Sequence, residues 1–385
     1  MITRDITPEL RASAAEYPVT TIFGPRQSGK TTLARMTFPD KPYYSLEDPD
    51  TRLAAQEDPR GFLDTIPEGA ILDEIQRLPE MLSYLQGIVD RKNTAGMFVL
   101  TGSHQPEVHQ AVSQTLAGRT ALLTLLPFCL NELRCYKKDW DAFELMTKGA
   151  YPRLHQENLT VERFYNGYVQ TYVERDVRSL INIKDLERFQ QFLILLAGRT
   201  GQVINYTSLG NDLGLSSVTI KNWLSVLQSS FVIFELPPFY ENIGKRVIKS
   251  PKIYFTDTGL VSHLLGIREP EQAARDPLRG GLYENLIIGE IRKAFFNRGQ
   301  RPELYFYRDT NGNEVDLIVR QQRQLLPIEI KSAATYSKHF LQGIKRFQKL
   351  MPDGIQPGHV LYNGAEQYQV EGTAIRNILL HGLPL

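Results

Sequence analysis

The sequence predicts an α/β protein of more than one domain, on three observations. Residues 17–38, "YPVTTIFGPRQSGKTTLARMTF", run from an apolar strand through a glycine-rich turn into a helix. Two more short apolar strands follow, "GAILDE" (69–74) and "MFVLTGS" (97–103), each closing on polar residues. Near the C-terminus, "EVDLIVRQQRQLLPIEIKS" (314–332) reads as two buried strands with ionisable residues set into them.

A chain of 385 residues exceeds the roughly 250–300 at which one core stops growing, so two or three domains are expected. With 42% hydrophobic and 23% charged residues, the composition is that of a soluble globular protein rather than a disordered one. No internal repeat at solenoid periods is seen. Net charge is +1, so a nucleic-acid surface would have to be a local patch. Cys129 and Cys135 form no CxxC pair, which argues for a reducing compartment and against zinc or a disulfide framework. The N-terminal "MITRDITPEL" lacks an apolar signal core, and "ALLTLLPFCL" and "FLILLAG" fall short of the roughly 20 residues a membrane span needs. A cytoplasmic protein without membrane attachment is expected.

The first strand and helix are joined by Gly24, Pro25, Arg26, Gln27, Ser28, Gly29, Lys30 and Thr31, followed by Thr32. The spacing Gly-x4-Gly-Lys-Thr between a strand and a helix is a Walker A loop. Its glycines let backbone N–H groups converge on ATP phosphates, and the helix N-terminus adds partial positive charge. Lys30 reaches the β- and γ-phosphates and Thr31 ligates Mg²⁺. The second strand ends in Asp73-Glu74, which looks like Walker B: Asp73 holds Mg²⁺ through its water shell and Glu74 orients the attacking water. An ordinary acidic helix start is the plainer alternative.

The order of Walker A, "ILDEIQ", "FVLTGSHQ", "LAGRT", "GAYPRL" and "YVERDV" resembles the prokaryotic AAA-type ATPases that carry a C-terminal domain of unassigned function, with a winged helix between. The likeness covers nearly the whole chain. It implies a P-loop fold with a central parallel sheet over roughly residues 1–145, where periodicity alone supports only α/β. It also implies a γ-phosphate-sensing polar residue at the end of the third strand, with Ser103 preferred over Thr101 and His104. A capping serine is the alternative. Arg119 in "LAGRT" could serve as an arginine finger in a homo-oligomer, against the plainer reading of a surface arginine.

From about 150 to 200 the apolar spacing is helical, and Phe164, Tyr165, Tyr168 and Tyr172 read as packing. In "NYTSLGNDLGLSSVTIKNWLSVLQSSFVIFEL" a helix, a turn at Gly214 and a helix capped by Ser216 or Ser217 outline a helix-turn-helix. The strands "FVIFEL" and "KIYFTD" bracket Lys245, Arg246, Lys249 and Lys252, which looks like a winged helix with a basic wing. DNA is the expected partner, through groove and phosphate contacts. A lid or a protein-docking module is the alternative.

In the C-terminal hairpin, a loop centred on Gln322 and Arg323 pairs residues whose numbers sum to 645, setting Asp316 opposite Glu329 and Glu314 opposite Lys331. Alternation then puts Val315, Leu317, Val319, Ile328 and Ile330 on a core face and the ionisable groups on the other. Facing carboxylates need something positive between them, and a divalent cation, Mg²⁺ or Mn²⁺, is the simplest candidate. Upstream, Glu284 shares a helix face with Ile287, Ile288, Ile291 and Phe295, whereas Glu290 and Lys293 fall on the polar, solvated face. This helix and hairpin resemble the PD-(D/E)xK arrangement of restriction-endonuclease-like folds. That resemblance implies Glu284, Asp316 and Glu329 as metal ligands and Lys331 as an aid to the nucleophilic water. The proline usual before the first acid is replaced by Val315. A solvated ion-pair face is the alternative.

The sequence thus leads to three parts, an ATPase domain (1–145), a helical and winged-helix region (146–268) and an α/β nuclease-like domain (269–385). ATP binding and hydrolysis in the service of DNA is the expected function, with a metal-dependent nuclease centre. The alternative is a nucleotide-switched DNA-binding or protein-docking scaffold with an inactive nuclease fold.

Overall fold

The computed structural model describes residues 2–103, 111–112, 114–173, 186–240, 249–351 and 354–384. His104, Glu174–Val177 of "YVERDV", and Lys245 and Arg246 of the expected wing lie outside them.

Five parallel strands, β1 (Val19–Gly24), β2 (Tyr43–Ser45), β3 (Ile71–Asp73), β4 (Phe98–Ser103) and β5 (Thr120–Thr124), form the N-terminal sheet in the order β2-β3-β4-β1-β5. All six residues of β1 and of β4 are buried, as unbroken apolar runs covered on both faces should be. Helices α1 (Thr7–Glu16) and α2 (Lys30–Thr37) close one face through Leu10 and Leu33, while Leu82, Leu85 and Val89 of the helix Met81–Lys92 close the other. The register pairs Gly24 with Ser103 and Ser45 with Asp73. The carboxyl ends of β1, β3 and β4 therefore emerge at one edge, where open α/β sheets bind ligands.

The middle region places a helix at Tyr206–Leu213, a left-handed Gly214 (φ 65°), and a helix at Ser217–Ser229 capped by the Ser216 hydroxyl. Antiparallel strands β6 (Ile233–Leu236) and β7 (Lys252–Phe255) follow. Phe164, Tyr165 and Tyr168 are buried as expected. One apolar cluster runs from Phe128 to Ile378 across the expected boundary at 268, so the middle and C-terminal parts share a core.

The C-terminal part is a six-stranded mixed sheet ordered β12-β13-β11-β10-β9-β8, with β8 (Leu304–Arg308), β9 (Glu314–Gln321), β10 (Gln324–Lys331), β11 (His359–Tyr362), β12 (Tyr368–Val370) and β13 (Thr373–Arg376). The helix Arg279–Phe296 packs Ile287 and Ile291 in one cluster with Leu317, Val319, Ile328 and Ile330. The helix Gln342–Leu350 joins Phe347 to Val315 and Ile318 in another. The hairpin turns at Gln322-Arg323 and pairs Gln321 with Gln324 through Leu317 with Ile328, the expected register.

Two expectations are corrected. Tyr305 pairs with Ile318 but Tyr307 pairs with Val315, so β9 carries an extra residue, a β-bulge that breaks strict alternation. Val315 consequently packs with Ile318 and Phe347 rather than with Leu317 and Val319. Glu290 and Lys293 are buried, not solvated: their side chains pair at 2.6 Å, the Leu130 N–H donates to Glu290 Oε2 (2.8 Å), and Lys293 Nζ donates to the Phe128 carbonyl (2.8 Å). This pair bonds the C-terminal helix to the backbone that follows β5, and burial is tolerated because every charge has a partner.

Candidate functional site

The loop between β1 and α2 is built by two glycines. At Gly24 a Cβ would lie 2.1 Å from the Leu125 carbonyl oxygen, and Gly29 adopts φ 92° as the residue before α2. Only glycine meets both demands without strain. Lys30 is buried and donates to the carbonyls of Gly24 (3.1 Å) and Pro25 (2.9 Å), so its ammonium spans the loop. The Thr31 hydroxyl donates to both carboxylate oxygens of Asp73, at 2.9 and 3.0 Å. Tyr43 OH donates to Asp73 at 2.8 Å, and Thr101 Oγ1 donates to it from β4. Burial, then the Asp73 carboxylate, pushes the Tyr43 phenol up to about 12, so it remains a donor.

Glu74 has left-handed backbone (φ 59°), an arrangement that costs energy in a non-glycine residue and clusters at functional sites. Its amide faces Thr101 Oγ1 at 3.4 Å and its carboxylate accepts from Gln76 Nε2. Ser103 is buried beside Gly24, and among the described residues its hydroxyl has no hydrogen-bond partner. Thr101, expected only as an alternative to Ser103 at the γ-phosphate, thus fastens Asp73 and Glu74.

Two further residues hold the loop in place. Buried Arg4 donates to Ser28 O (2.8 Å), Leu126 O (2.7 Å) and Glu132 Oε1 (2.8 Å). Gln27, at φ 61°, donates from Nε2 to Tyr172 OH (2.8 Å), while the Arg26 guanidinium lies 5.4 Å from the Tyr172 ring centroid. Tyr172 packs against the core and Tyr168 as expected, and in addition clamps the loop from the middle region. A cavity of about 380 Å³ opens beside the loop, lined by Arg4, Gly29, Thr32, Met36, Pro152 and Arg153. That volume suits a nucleoside.

Arg119 lies on the surface, the plainer of its two readings. It precedes β5, level with Val19 at the start of β1, about 17 Å of strand from Gly24. Its guanidinium is paired with Asp90 and donates to the Ala117 carbonyl.

The C-terminal acids come close together but are held by lysines. Lys331 Nζ lies 2.9 Å from Asp316 Oδ2 and 2.7 Å from Glu329 Oε1. The positive charge between the facing carboxylates is therefore an ammonium. The Ile330 N–H also donates to Asp316 (2.8 Å). Lys252, expected on an exposed wing, is buried: its Nζ lies 2.8 Å from Glu284 Oε1 and 2.6 Å from Glu314 Oε1. Tyr254 OH donates to the same Glu284 oxygen. Burial raises Glu284 despite Lys252, and burial with the Asp316 charge lifts Glu329 to about 8. Burial opposes ionisation of Asp316, yet Lys331 and Lys252 outweigh it and hold its carboxyl below the usual range.

These side chains do not fit a divalent cation as arranged. Among the described residues, only Asp5, Cys129 and Glu132 bring three ligand atoms within 4.8 Å of one another, and the Glu284, Asp316 and Glu329 set does not. The Asp5 trio is itself satisfied internally: the Cys129 thiol, pushed far up by burial and then by Glu132, donates to Asp5 (3.2 Å), and Glu132 accepts from Arg4 and from the Asp5 and Cys129 amides.

Comparison with known proteins agrees with the N-terminal geometry. A family model described as AAA domain matches residues 16–134, and models described as domains of unknown function (DUF8612 and DUF4143) match 139–271 and 279–380. The uncharacterized protein Rv2008c of Mycobacterium tuberculosis is 31% identical over 340 residues, 87% of this chain and 75% of that protein. An uncharacterized protein of Haemophilus influenzae is 22% identical, over 68% of this chain and 64% of its own length. Among solved structures, the Walker-type ATPase PABY2304 of Pyrococcus abyssi is 15% identical with a TM-score of 0.43, covering 68% of this chain and 95% of that one. No helix among the described residues is long and apolar enough to cross a membrane. By identity and coverage the chain belongs to the same family as the mycobacterial protein Rv2008c, and residues 16–134 are its AAA domain.

Proposed function

We propose that the chain binds ATP at Gly24–Thr32 and hydrolyses it. The observation that carries this reading is the Thr31–Asp73 contact at the shared edge of β1 and β3, beside Lys30 and Glu74. Loop amides and the α2 N-terminus receive phosphate oxygens, Lys30 leaves its carbonyl partners for the β- and γ-phosphates, and the base enters the cavity beside Thr32. A hydroxyl next to a carboxylate is a donor set that Mg²⁺ takes, so Thr31 and Asp73 would hold it, and it would neutralise phosphate charge. Glu74, fixed by its backbone and by Gln76, orients water toward the γ-phosphate, with Ser103 as the polar contact at the end of β4. ATPase assays test the assignment: Lys30→Ala abolishes nucleotide binding, while Glu74→Gln binds ATP and loses about 10²–10⁴-fold in rate. Binding retained in Lys30→Ala would sink it.

We further infer that the chain acts on DNA through a winged-helix middle region, as a nucleotide-switched scaffold, and that the divisions near 145 and 268 separate these roles. Support comes from the exposed face of the helix Ser217–Ser229, where Val218, Lys221, Asn222 and Ser225 stand clear of the core. Fluorescence anisotropy with duplex DNA, with and without ATP, checks it; affinity unchanged by Lys221→Ala and Asn222→Ala together argues instead for protein docking. Nuclease action is a second reading, favoured by one observation: among the described residues, buried Glu329 Oε2 has no hydrogen-bond partner. A plasmid-nicking assay with Mg²⁺ or Mn²⁺ decides it, with cleavage lost in Asp316→Asn as the result that would restore it.

A further inference from the structure

The restriction-endonuclease-like arrangement implies a divalent cation among Glu284, Asp316 and Glu329, but the residues present hold something else. Lys252 belongs to β7 of the middle region, and Glu284 and Glu314 belong to the C-terminal part. Its side chain is 3% exposed, with Nζ within 2.8 Å of one carboxylate and 2.6 Å of the other, and 5.4 Å from the Phe306 ring centroid. The surrounding backbone fits the same seat. Phe239 N–H donates to Phe306 O (2.8 Å) and Phe306 N–H to Pro237 O (3.0 Å), tying the segment after β6 to β8. Tyr254, two residues along β7, adds its hydroxyl to Glu284.

We propose that Lys252 is the resident cation of the C-terminal acidic centre, which serves as a socket for the middle region and admits a divalent ion only when β7 leaves. A carboxylate oxygen held at 2.6–2.8 Å by an ammonium cannot also sit on a metal at ~2.0–2.6 Å without two cations crowding in a low-dielectric pocket. Acids that would gather a metal are instead spent on two lysines, Lys252 and Lys331. The seat couples the regions, since whatever lifts β7 strips Glu284 and Glu314 of their shared cation at once.

The test is Mn²⁺ binding to the full chain without nucleotide, read by electron paramagnetic resonance. Wild type and Lys252→Arg should bind weakly and alike, whereas Lys252→Met gains a site at least about tenfold tighter that Glu284→Gln removes. Should Lys252→Met fail to fold, wild type against Glu284→Gln decides. Equal weak binding in both upholds the socket. Overturning results are wild-type Mn²⁺ binding that Glu284→Gln abolishes, or a folded Lys252→Met with no gain. None of these readings depends on ATP hydrolysis, so loss of the ATPase proposal would leave this one standing.

Discussion

The Thr31 hydroxyl reaches Asp73 across 42 residues of sequence, donating to both of its carboxylate oxygens. Tyr43 and Thr101 donate to the same carboxylate, so Asp73 is oriented from one helix and two strands. Asp73→Asn is expected to fold, to bind ATP in EDTA like wild type, and to lose the gain in ATP affinity that Mg²⁺ confers, with hydrolysis falling at least about 10²-fold. Equilibrium binding with and without Mg²⁺, beside turnover, checks it. An unchanged magnesium effect would place the ion elsewhere.

Tyr172 makes one hydrogen bond to Gln27 and stacks against Arg26. Tyr172→Phe keeps the ring and deletes the hydroxyl. One lost hydrogen bond is worth about 0.5–1.5 kcal/mol, so ATP affinity should weaken roughly two- to tenfold while kcat changes little, because Glu74 and Asp73 are untouched. A fall in kcat at constant KM would show that the clamp acts on the chemistry rather than on the loop.

Legibility in the sequence followed range. The Walker loop is a local pattern, and Gly29 is demanded by backbone geometry within it, although the close approach that demands Gly24 comes from distant Leu125. The hairpin register was equally readable, because a two-residue turn at Gln322-Arg323 fixes every pair that follows. What escaped was set by distant partners. Lys252 looked like a wing residue beside Lys249, and only Glu284 and Glu314 draw it inside. Glu290 and Lys293 looked solvated because their partners, Leu130 and Phe128, stand some 160 residues away. The β9 bulge leaves no trace in an apolar run, and it is what separates Val315 from Leu317.

Arg119 lies at the edge of the sheet opposite the phosphate loop and is paired with Asp90. Arg119→Ala should therefore leave ATPase turnover within about twofold of wild type at every protein concentration, as for most exposed ion pairs. A concentration-dependent rate that collapses in this variant would reinstate it as a finger acting between subunits.

Burial lowers His155 to about 4, against a weaker opposing bond to the Gly149 carbonyl, with Lys148 and Lys293 adding to the depression. His359 is likewise lowered to about 4 by burial, then by Arg376. Both stay neutral in the folded chain down to that pH, whereas the unfolded chain takes up their protons near 6.5. The unfolded state binds more protons between those limits, so stability falls as pH drops from 6.5 toward 4. Replacing His155, which lies among Phe128, Tyr136 and Trp140, by Gln should flatten that slope by close to one proton. Urea midpoints at pH 7 and 5 measure it, and equal slopes would mean His155 protonates in place.

Arg4 and Glu132 form a buried pair 2.8 Å apart, with side chains 7% and 1% exposed. Arg4 also holds the Ser28 and Leu126 carbonyls, so it ties the phosphate loop to the segment after β5. Arg4→Met leaves Glu132 charged and enclosed, which costs about 3–5 kcal/mol, while Arg4→Met with Glu132→Met removes both charges and restores much of that loss. Nucleotide binding separates the two roles of the arginine. If Arg4 only balances Glu132, the double variant recovers ATP affinity together with stability. If it shapes the loop through Ser28, stability returns and affinity stays low, and the two carbonyl bonds predict this second outcome. Denaturation midpoints and ATP titrations on the same preparations distinguish them, and full recovery of affinity in the double variant would reduce Arg4 to a counter-ion.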